Sequence, residues 1–164
     1  MRFSPLVLML GLAASAVSVS VHGQRPDDQI EPKSVALLKK GEAALAAGNL
    51  IAADDALETA LVVDPRNRAA FVAMARVAIK QKLFGQAIRL TNRALSLEPT
   101  DRDAIAVQGE AMVELGAVPR AKENLAKLQK LCVSGCPQLA TLNAAIARGP
   151  AIAEAKAPAV KKAN

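Results

Sequence analysis

The central part of the chain places apolar residues at the spacing of amphipathic helices. In two segments these residues share one helix face. They are Leu57, Ala60 and Leu61 in the first segment and Leu90, Ala94 and Leu97 in the second. The pattern predicts six helices, near residues 34–47, 51–64, 68–81, 85–98, 102–115 and 119–131. Gly135 and Pro137 then favour a helix end and a seventh helix at about 137–147.

The predicted helices form an internal repeat of 34 residues. Segments that begin at Ser34, Arg68 and Arg102 align, and the first two close with the near-copies LVVDP and LSLEP, ending at Pro65 and Pro99. The turn inside the successive repeats carries Gly48, Lys82 and Gly116. Glycine frees the backbone at a tight turn, and proline cannot continue a preceding helix. The repeat therefore predicts three helix-turn-helix units.

This spacing resembles the tetratricopeptide-repeat (TPR) family. The family consensus has small residues at positions 8, 20 and 27 of each repeat and proline at position 32. Position 8 of the three repeats holds Gly41, Ala75 and Gly109, and position 20 holds Ala53, Ala87 and Ala121. Position 27 holds Ala60, Ala94 and Leu128, and position 32 holds Pro65, Pro99 and Val133. The resemblance covers residues 34 to about 133 and implies an all-α TPR solenoid of three repeats, 34–67, 68–101 and 102–135. Because the third repeat departs from the consensus at its end, we expect the array to stop there.

The ends of the chain differ from the repeats. Arg2 precedes an uncharged apolar run over residues 6–21, and Val21 and Gly23 predict a signal peptide, residues 1–23, cleaved before Gln24. An uncleaved membrane anchor is the alternative, because the run is close to the ~17-residue minimum for a span. We expect a linker at 24–33, a C-terminal capping helix at 136–148 and a disordered basic tail at 149–164. The predicted location is the periplasm.

Export limits the chemistry that the mature chain can perform. The one histidine, His22, precedes the cleavage site, so neither a histidine-assisted nucleophile nor a zinc site with histidine is available. We interpret Asp54 with Asp55, and Asp101 with Asp103, as residues that favour helix starts. The alternative is that they are carboxylate pairs for acid–base chemistry or for calcium binding. The basic residues behind the net charge of +6 are scattered, and Trp and Tyr are missing, which argues against nucleic-acid binding. We expect no enzymatic activity, no cofactor and no metal site.

Cys132 and Cys136 are the only cysteines of the chain. Disulfides persist after export, and a turn containing Gly135 lets residues four apart reach the roughly 5.5–6 Å Cα separation of a disulfide. We interpret the pair as a structural staple. A redox-active pair is one alternative, although the spacing is not C-x-x-C, and metal binding or free thiols are others. The stretch LC-x-x-x-C also resembles the end of some bacterial TPR proteins.

The TPR resemblance implies a concave groove lined by the first helix of each repeat. The family register assigns the groove to Leu38, Glu42, Leu45, Val72, Arg76, Ile79, Lys80, Ala106, Glu110 and Val113. The basic and asparagine residues of the family's carboxylate clamp are replaced by Leu38, Glu42, Ala73, Asp103 and Val107, so the clamp is absent. We expect a mainly apolar groove with one charged column, in which Arg76 pairs with both Glu42 and Glu110. The apolar residues are alternatively interpreted as packing between the first helices.

These features predict a periplasmic scaffold that binds a peptide or helix of a protein partner in the groove. The alternative is a thiol–disulfide redox factor of the cell envelope that uses Cys132 and Cys136. A third interpretation is a structural envelope component, held by weak contact of its basic tail with the envelope.

Overall fold

The computed structural model describes residues 29–151, and within that range the chain forms seven α-helices and no strand. The helices are α1 (Pro32–Ala46), α2 (Leu50–Val63), α3 (Arg68–Lys80), α4 (Phe84–Leu97), α5 (Arg102–Glu114), α6 (Val118–Leu131) and α7 (Pro137–Arg148). Short turns join α1 to α2, α3 to α4 and α5 to α6, and the helices of each pair pack side by side. The predicted all-α class is therefore confirmed.

The observed helix ends lie within two residues of the predicted ones. The largest difference is at α1, which begins at Pro32, because a proline in the first turn has no N–H to leave unpaired. Three later helices begin with a side-chain cap, in which the side chain of Asn49, Asn67 or Asp101 accepts a hydrogen bond from the backbone N–H three residues further along.

The predicted signal peptide and most of the basic tail lie outside the described residues. None of the helices within residues 29–151 has the length and apolarity needed to cross a bilayer.

The interpretation of the paired aspartates is correct for one pair and wrong for the other. Asp101 caps α5, and Asp103 lies in its first turn. Asp54 and Asp55 lie beyond the first turn of α2, because Asn49 is the residue that caps this helix. Asp54 and Asp55 therefore do not mark a helix start.

The nine small or apolar residues at positions 8, 20 and 27 of the repeats are all buried. Two glycines among them allow especially close packing. A Cβ added to Gly41 would lie 2.5 Å from Cγ of Leu57, and a Cβ added to Gly109 would lie 2.6 Å from a methyl group of Leu142. Gly41 thus brings α1 against α2, whereas Gly109 brings α5 against α7.

The turns inside the three repeats share a left-handed residue. Gly48 and Gly116 have φ of 76°, and Lys82 has φ of 62° at the equivalent place in the second repeat. The left-handed region costs a residue with a Cβ roughly 1–2 kcal/mol, whereas glycine enters it freely. The second turn therefore keeps the geometry of the other two against the preference of its own residue.

A network of side-chain amides links the second and third repeats. Gln108 of α5 donates to the side-chain oxygen of Asn92 in α4 at 2.7 Å, and its own oxygen accepts from Asn124 of α6 at 3.0 Å. Asn124 also donates to the backbone oxygen of Ile105 at 3.1 Å. Gln108 and Asn124 are 5% and 3% exposed, so these hydrogen bonds satisfy amides that water does not reach.

The last helix covers the end of the array. Leu142 of α7 is fully buried in a cluster with Ile105, Ala106 and Leu128. Ile146, one turn further on, packs against this cluster and against the neighbouring one. In a solenoid the terminal apolar face needs such a cover.

Candidate partner-binding face

The first helices of the repeats form one side of the molecule, which we call the inner face. Helices α1, α3, α5 and α7 contact one another in sequence, and they approach each other more closely than the second helices α2, α4 and α6 do. Closer spacing on one side makes that side the concave one. The inner face is therefore the surface on which the predicted groove residues can be placed.

Seven of the ten predicted groove residues keep some exposed surface. Glu42, Arg76 and Lys80 are exposed, whereas Leu38, Leu45, Ile79 and Glu110 are half-buried. The three half-buried aliphatic side chains also pack against the core clusters below them. They therefore combine packing with an accessible apolar edge.

Val72 and Ala106 are each 3% exposed and form the floor of small cavities on the inner face. Val113 differs, because it has no exposed surface. It lies in a cluster with Met112 and Ala121, covered by Ile146 of α7. The prediction that Val113 lines the groove is wrong for this conformation, since the capping helix occupies that side of α5.

The charged column of the inner face is paired differently from the prediction. Arg76 forms an ion pair with Asp103 at 3.1 Å, and not with Glu42 or Glu110. Both partners are about half exposed, at 44% and 51%, so this ion pair contributes at most about 1 kcal/mol. Glu42 and Glu110 therefore line the cavities on either side of Arg76 without forming an ion pair with it, because Asp103 is the partner of Arg76.

Helix α7 adds side chains to the inner face that were not predicted there. Gln138 donates to Asp103 at 3.3 Å, and Arg148 donates to Glu114 at 3.0 Å. Thr141 lines a cavity together with Glu110. Extending the 34-residue period by one more repeat would have placed α7 as a further first helix, because Arg148 follows Glu114 by 34 residues. The capping prediction did not use this register.

Open cavities of about 120 and 180 Å³ lie between the first helices on the inner face. The smaller lies between α1, α3 and α5, and the larger between α3, α5 and α7. A larger cavity of about 530 Å³ lies at the turns that join the second helix of one repeat to the first helix of the next. It is lined by Ile30, Leu97, Arg66 and Arg68. Arg66 and Arg68 already form ion pairs with Asp64 and Asp101, so this cavity offers a ligand little unpaired charge despite its volume.

The two cysteines form the expected disulfide. The Cα atoms of Cys132 and Cys136 are 5.7 Å apart, and the bond spans the turn between α6 and α7. Cys132 is 6% exposed, at the end of α6. The bond therefore fixes the turn from which α7 returns to the inner face.

Comparisons with solved structures agree with this architecture. The TPR domain of Sgt2 from Aspergillus fumigatus is similar with a TM-score of 0.65 and 23% identity, covering 82% of this chain and 92% of that one. The TPR2B domain of yeast Sti1, in a complex with pHsp70, has a TM-score of 0.65 and 15% identity, covering 72% and 98%. The first TPR of Spaghetti (RPAP3), bound to the HSP90 peptide SRMEEVD, has a TM-score of 0.63 and 23% identity, covering 70% and 96%. The fold is that of a TPR domain.

No protein-family model matches the sequence, and the search of curated proteins finds no match. The TPR assignment thus rests on the three-dimensional arrangement of the helices, together with the 34-residue period of the small residues.

Proposed function

We propose that this protein is an exported, non-catalytic scaffold whose inner face holds a peptide or helix of a protein partner. The observation that carries the proposal is the inner face itself. Leu38, Leu45 and Ile79 keep half-buried aliphatic side chains on the first helices, and the exposed charges of Glu42 and Arg76 line the open cavities between those helices. Apolar anchors surrounded by polar groups are the usual composition of a binding surface.

Structural neighbours support a protein as the partner. The Spaghetti domain is bound to the peptide SRMEEVD, and another neighbour, the second TPR domain of human RPAP3, is in complex with the HSP70 peptide SGPTIEEVD. Those peptides are acidic. The present chain has Glu42 and Asp103 where the family's clamp would have basic or asparagine side chains. We therefore propose the same mode of binding with a different kind of peptide.

Site-specific photo-crosslinking tests the proposal. A photoreactive residue at Lys80 on the inner face should form an adduct with the partner in cells, whereas the same residue at Lys127 on the outer side of α6 should not. Both side chains are exposed, so the pair differs in face and not in accessibility. Adducts from Lys127 alone would refute the assignment of the inner face.

A pair of apolar substitutions sharpens that test. Ile79→Ser should reduce the Lys80 adduct, because it removes an apolar edge of the inner face. Val62→Ser is the matched control, since Val62 is 83% exposed on the second helix of the first repeat and should leave the adduct unchanged. The melting temperatures of both variants should be measured, because Ile79 also touches the core. An adduct that survives Ile79→Ser in a folded variant would count against the groove.

Export and the lack of catalysis are parts of the same proposal. They are supported by the apolar run after Arg2 and by the position of His22 within the expected signal peptide. N-terminal sequencing of the native protein should find Gln24 or a neighbouring residue first. A retained Met1 would instead indicate an anchored protein.

A further inference from the structure

The outer side of the molecule, formed by α2, α4 and α6, has opposite charge at its two ends. Helix α2 carries three acids and no base, which gives a net charge of −3. Helix α6 carries four bases and one acid, which gives a net charge of +3, and α4 between them carries two arginines. None of these charged side chains forms a hydrogen bond or an ion pair with another residue in the range 29–151. The charge of each end is therefore available to a second molecule.

One stripe of α2 combines acidic side chains with exposed apolar ends. Ile51, Asp55, Glu58 and Val62 follow the spacing of a single helix face, and all four are exposed. Ile51 is 76% and Val62 is 83% exposed, at opposite ends of a stripe about 16 Å long. We call these four residues the α2 stripe. It presents two apolar contacts with a negative centre between them.

The other end of the outer side carries a surface of complementary composition. Lys127 and Lys130 share a face of α6, and Leu131 and Val133 follow them; we call these four residues the α6 patch. Leu131 is 38% and Val133 is 92% exposed, and Val133 lies in the short loop that the disulfide closes. The three most exposed large apolar side chains in the range 29–151 thus belong to the α2 stripe and the α6 patch.

We propose that the α2 stripe of one molecule binds the α6 patch of a second copy of this chain. Two acids meet two lysines, and each surface contributes two apolar side chains, so both charge and apolar surface are matched. The contact joins different surfaces of the two copies, which makes it a head-to-tail contact. A two-fold arrangement would instead bring Arg89 and Arg93 of α4 against the same arginines of the second copy, where like charges repel.

Sedimentation velocity of the full mature protein tests the contact. Between about 5 and 500 μM, the average mass should rise beyond that of a dimer without a plateau, because a head-to-tail contact leaves one surface free at each end of the assembly. Raising NaCl from about 50 to 500 mM should weaken the association at least about fivefold, since salt screens exposed charges. A monomer throughout, a plateau at the mass of a dimer, or association that salt does not weaken would overturn the inference.

Charge exchange locates the two surfaces. Asp55→Lys with Glu58→Lys reverses the charge of the α2 stripe, and Lys127→Glu with Lys130→Glu reverses that of the α6 patch. Each double variant alone should associate at least about tenfold more weakly, which corresponds to 1.4 kcal/mol. An equimolar mixture of the two should recover the association, because the basic stripe of one variant then meets the acidic patch of the other. A mixture that stays monomeric would refute the pairing of these surfaces.

Two further variants separate the contact from the effect of net charge. Arg89→Glu with Arg93→Glu makes a charge change of the same size on α4, outside both surfaces, and should not weaken the association. Val62→Ser removes one apolar end of the α2 stripe and should weaken it a few-fold. Circular dichroism should show that every variant is folded, because the substituted side chains are exposed. An equal loss in the α4 variant would mean that overall charge, and not the two surfaces, drives the association.

This inference and the proposed function fail separately. The inner face takes no part in the contact between copies, so folded Ile79→Ser should associate normally. In the crosslinking experiment, an adduct at Lys127 that consists of two copies of this chain supports the contact between copies. Only a Lys127 adduct with another protein counts against the inner face.

Discussion

The turn between α2 and α3, which we call the polar corner, and the turn between α6 and α7, which we call the C-terminal corner, occupy equivalent places in the array. Different chemistry holds the two turns. In the first, the buried side chain of Asp64 accepts hydrogen bonds from the backbone N–H groups of Glu31 and Arg66, both at 2.9 Å. Nearby, Asn67 donates to Ser34 at 2.8 Å. Two periods later, Cys132 stands where Asp64 stands, and a disulfide replaces this set of contacts.

The difference separates two ways of fixing one turn. The polar corner divides its stabilisation among several hydrogen bonds, each contributing about 0.5–1.5 kcal/mol, and depends on the ionisation of Asp64. The C-terminal corner relies on one covalent bond and begins α7 at Pro137 without a side-chain cap. Because a repeat contacts only its neighbours, each corner affects mainly its own end of the array.

The largest expected effect comes from the core beneath the C-terminal corner. Leu142→Ala should lower the free energy of unfolding by about 2–5 kcal/mol, because it leaves a cavity against Gly109. Urea unfolding followed by circular dichroism measures the loss. Leu139→Ala, at a half-buried site of the same helix, should cost less. Equal losses would mean that α7 is not anchored through Leu142.

Removal of the disulfide should have a smaller effect. The bond joins residues four apart, a loop of five residues, for which the chain-entropy estimate is about 2 kcal/mol. The double variant Cys132→Ser with Cys136→Ser should therefore lose up to this amount and expose the amides of α7 to faster hydrogen exchange. Helices α1 to α4 should keep their protection. A uniform loss of protection across all helices would contradict a local role.

Breaking the polar corner should have the smallest effect of the three. Hydrogen bonds from the Arg66 side chain lower the pKa of Asp64 from 3.8 to about 2. Because the folded pKa lies below the unfolded one, the stabilisation is complete above about pH 4 and is lost as the pH falls toward 2. Asp64→Asn should cost on the order of 1–2 kcal/mol at pH 7, since the partner Arg66 is itself 40% exposed. Thermal unfolding between pH 2 and pH 7 measures the difference.

Glu98 provides the matched control for Asp64. It occupies the same position in the second repeat, and its pKa is lowered by hydrogen bonds from Thr100, but it is more exposed. Glu98→Gln should leave both the stability and the pH profile nearly unchanged. If Asp64→Asn and Glu98→Gln lower the stability equally, the burial of Asp64 is not what distinguishes its turn from that of Glu98.

Much of the fold could be predicted from the sequence, because small residues, prolines and turn residues recur every 34 positions and act locally. The pairing on the inner face could not. Arg76 has acids within reach on two helices, and the choice of Asp103 depends on side-chain conformations that a register does not specify. Val113 was misplaced for a related reason, since its burial depends on how α7 docks. The role of Asp64 could not be predicted, because the segments LVVDP and LSLEP look alike in sequence. Only in the first does the backbone N–H of Glu31 donate to the acidic side chain.

The amide network of Asn92, Gln108 and Asn124 has a consequence for assembly. Repeats that share a period can also dock in the wrong order, which is a known hazard of repetitive chains. The residues equivalent to Gln108 in the other repeats are Lys40 and Met74, and those equivalent to Asn124 are Ala56 and Leu90. None of these reproduces the donor and acceptor pattern. A misordered array would therefore leave buried amides without partners, at about 1–3 kcal/mol for each group, and the network selects the native order of the repeats.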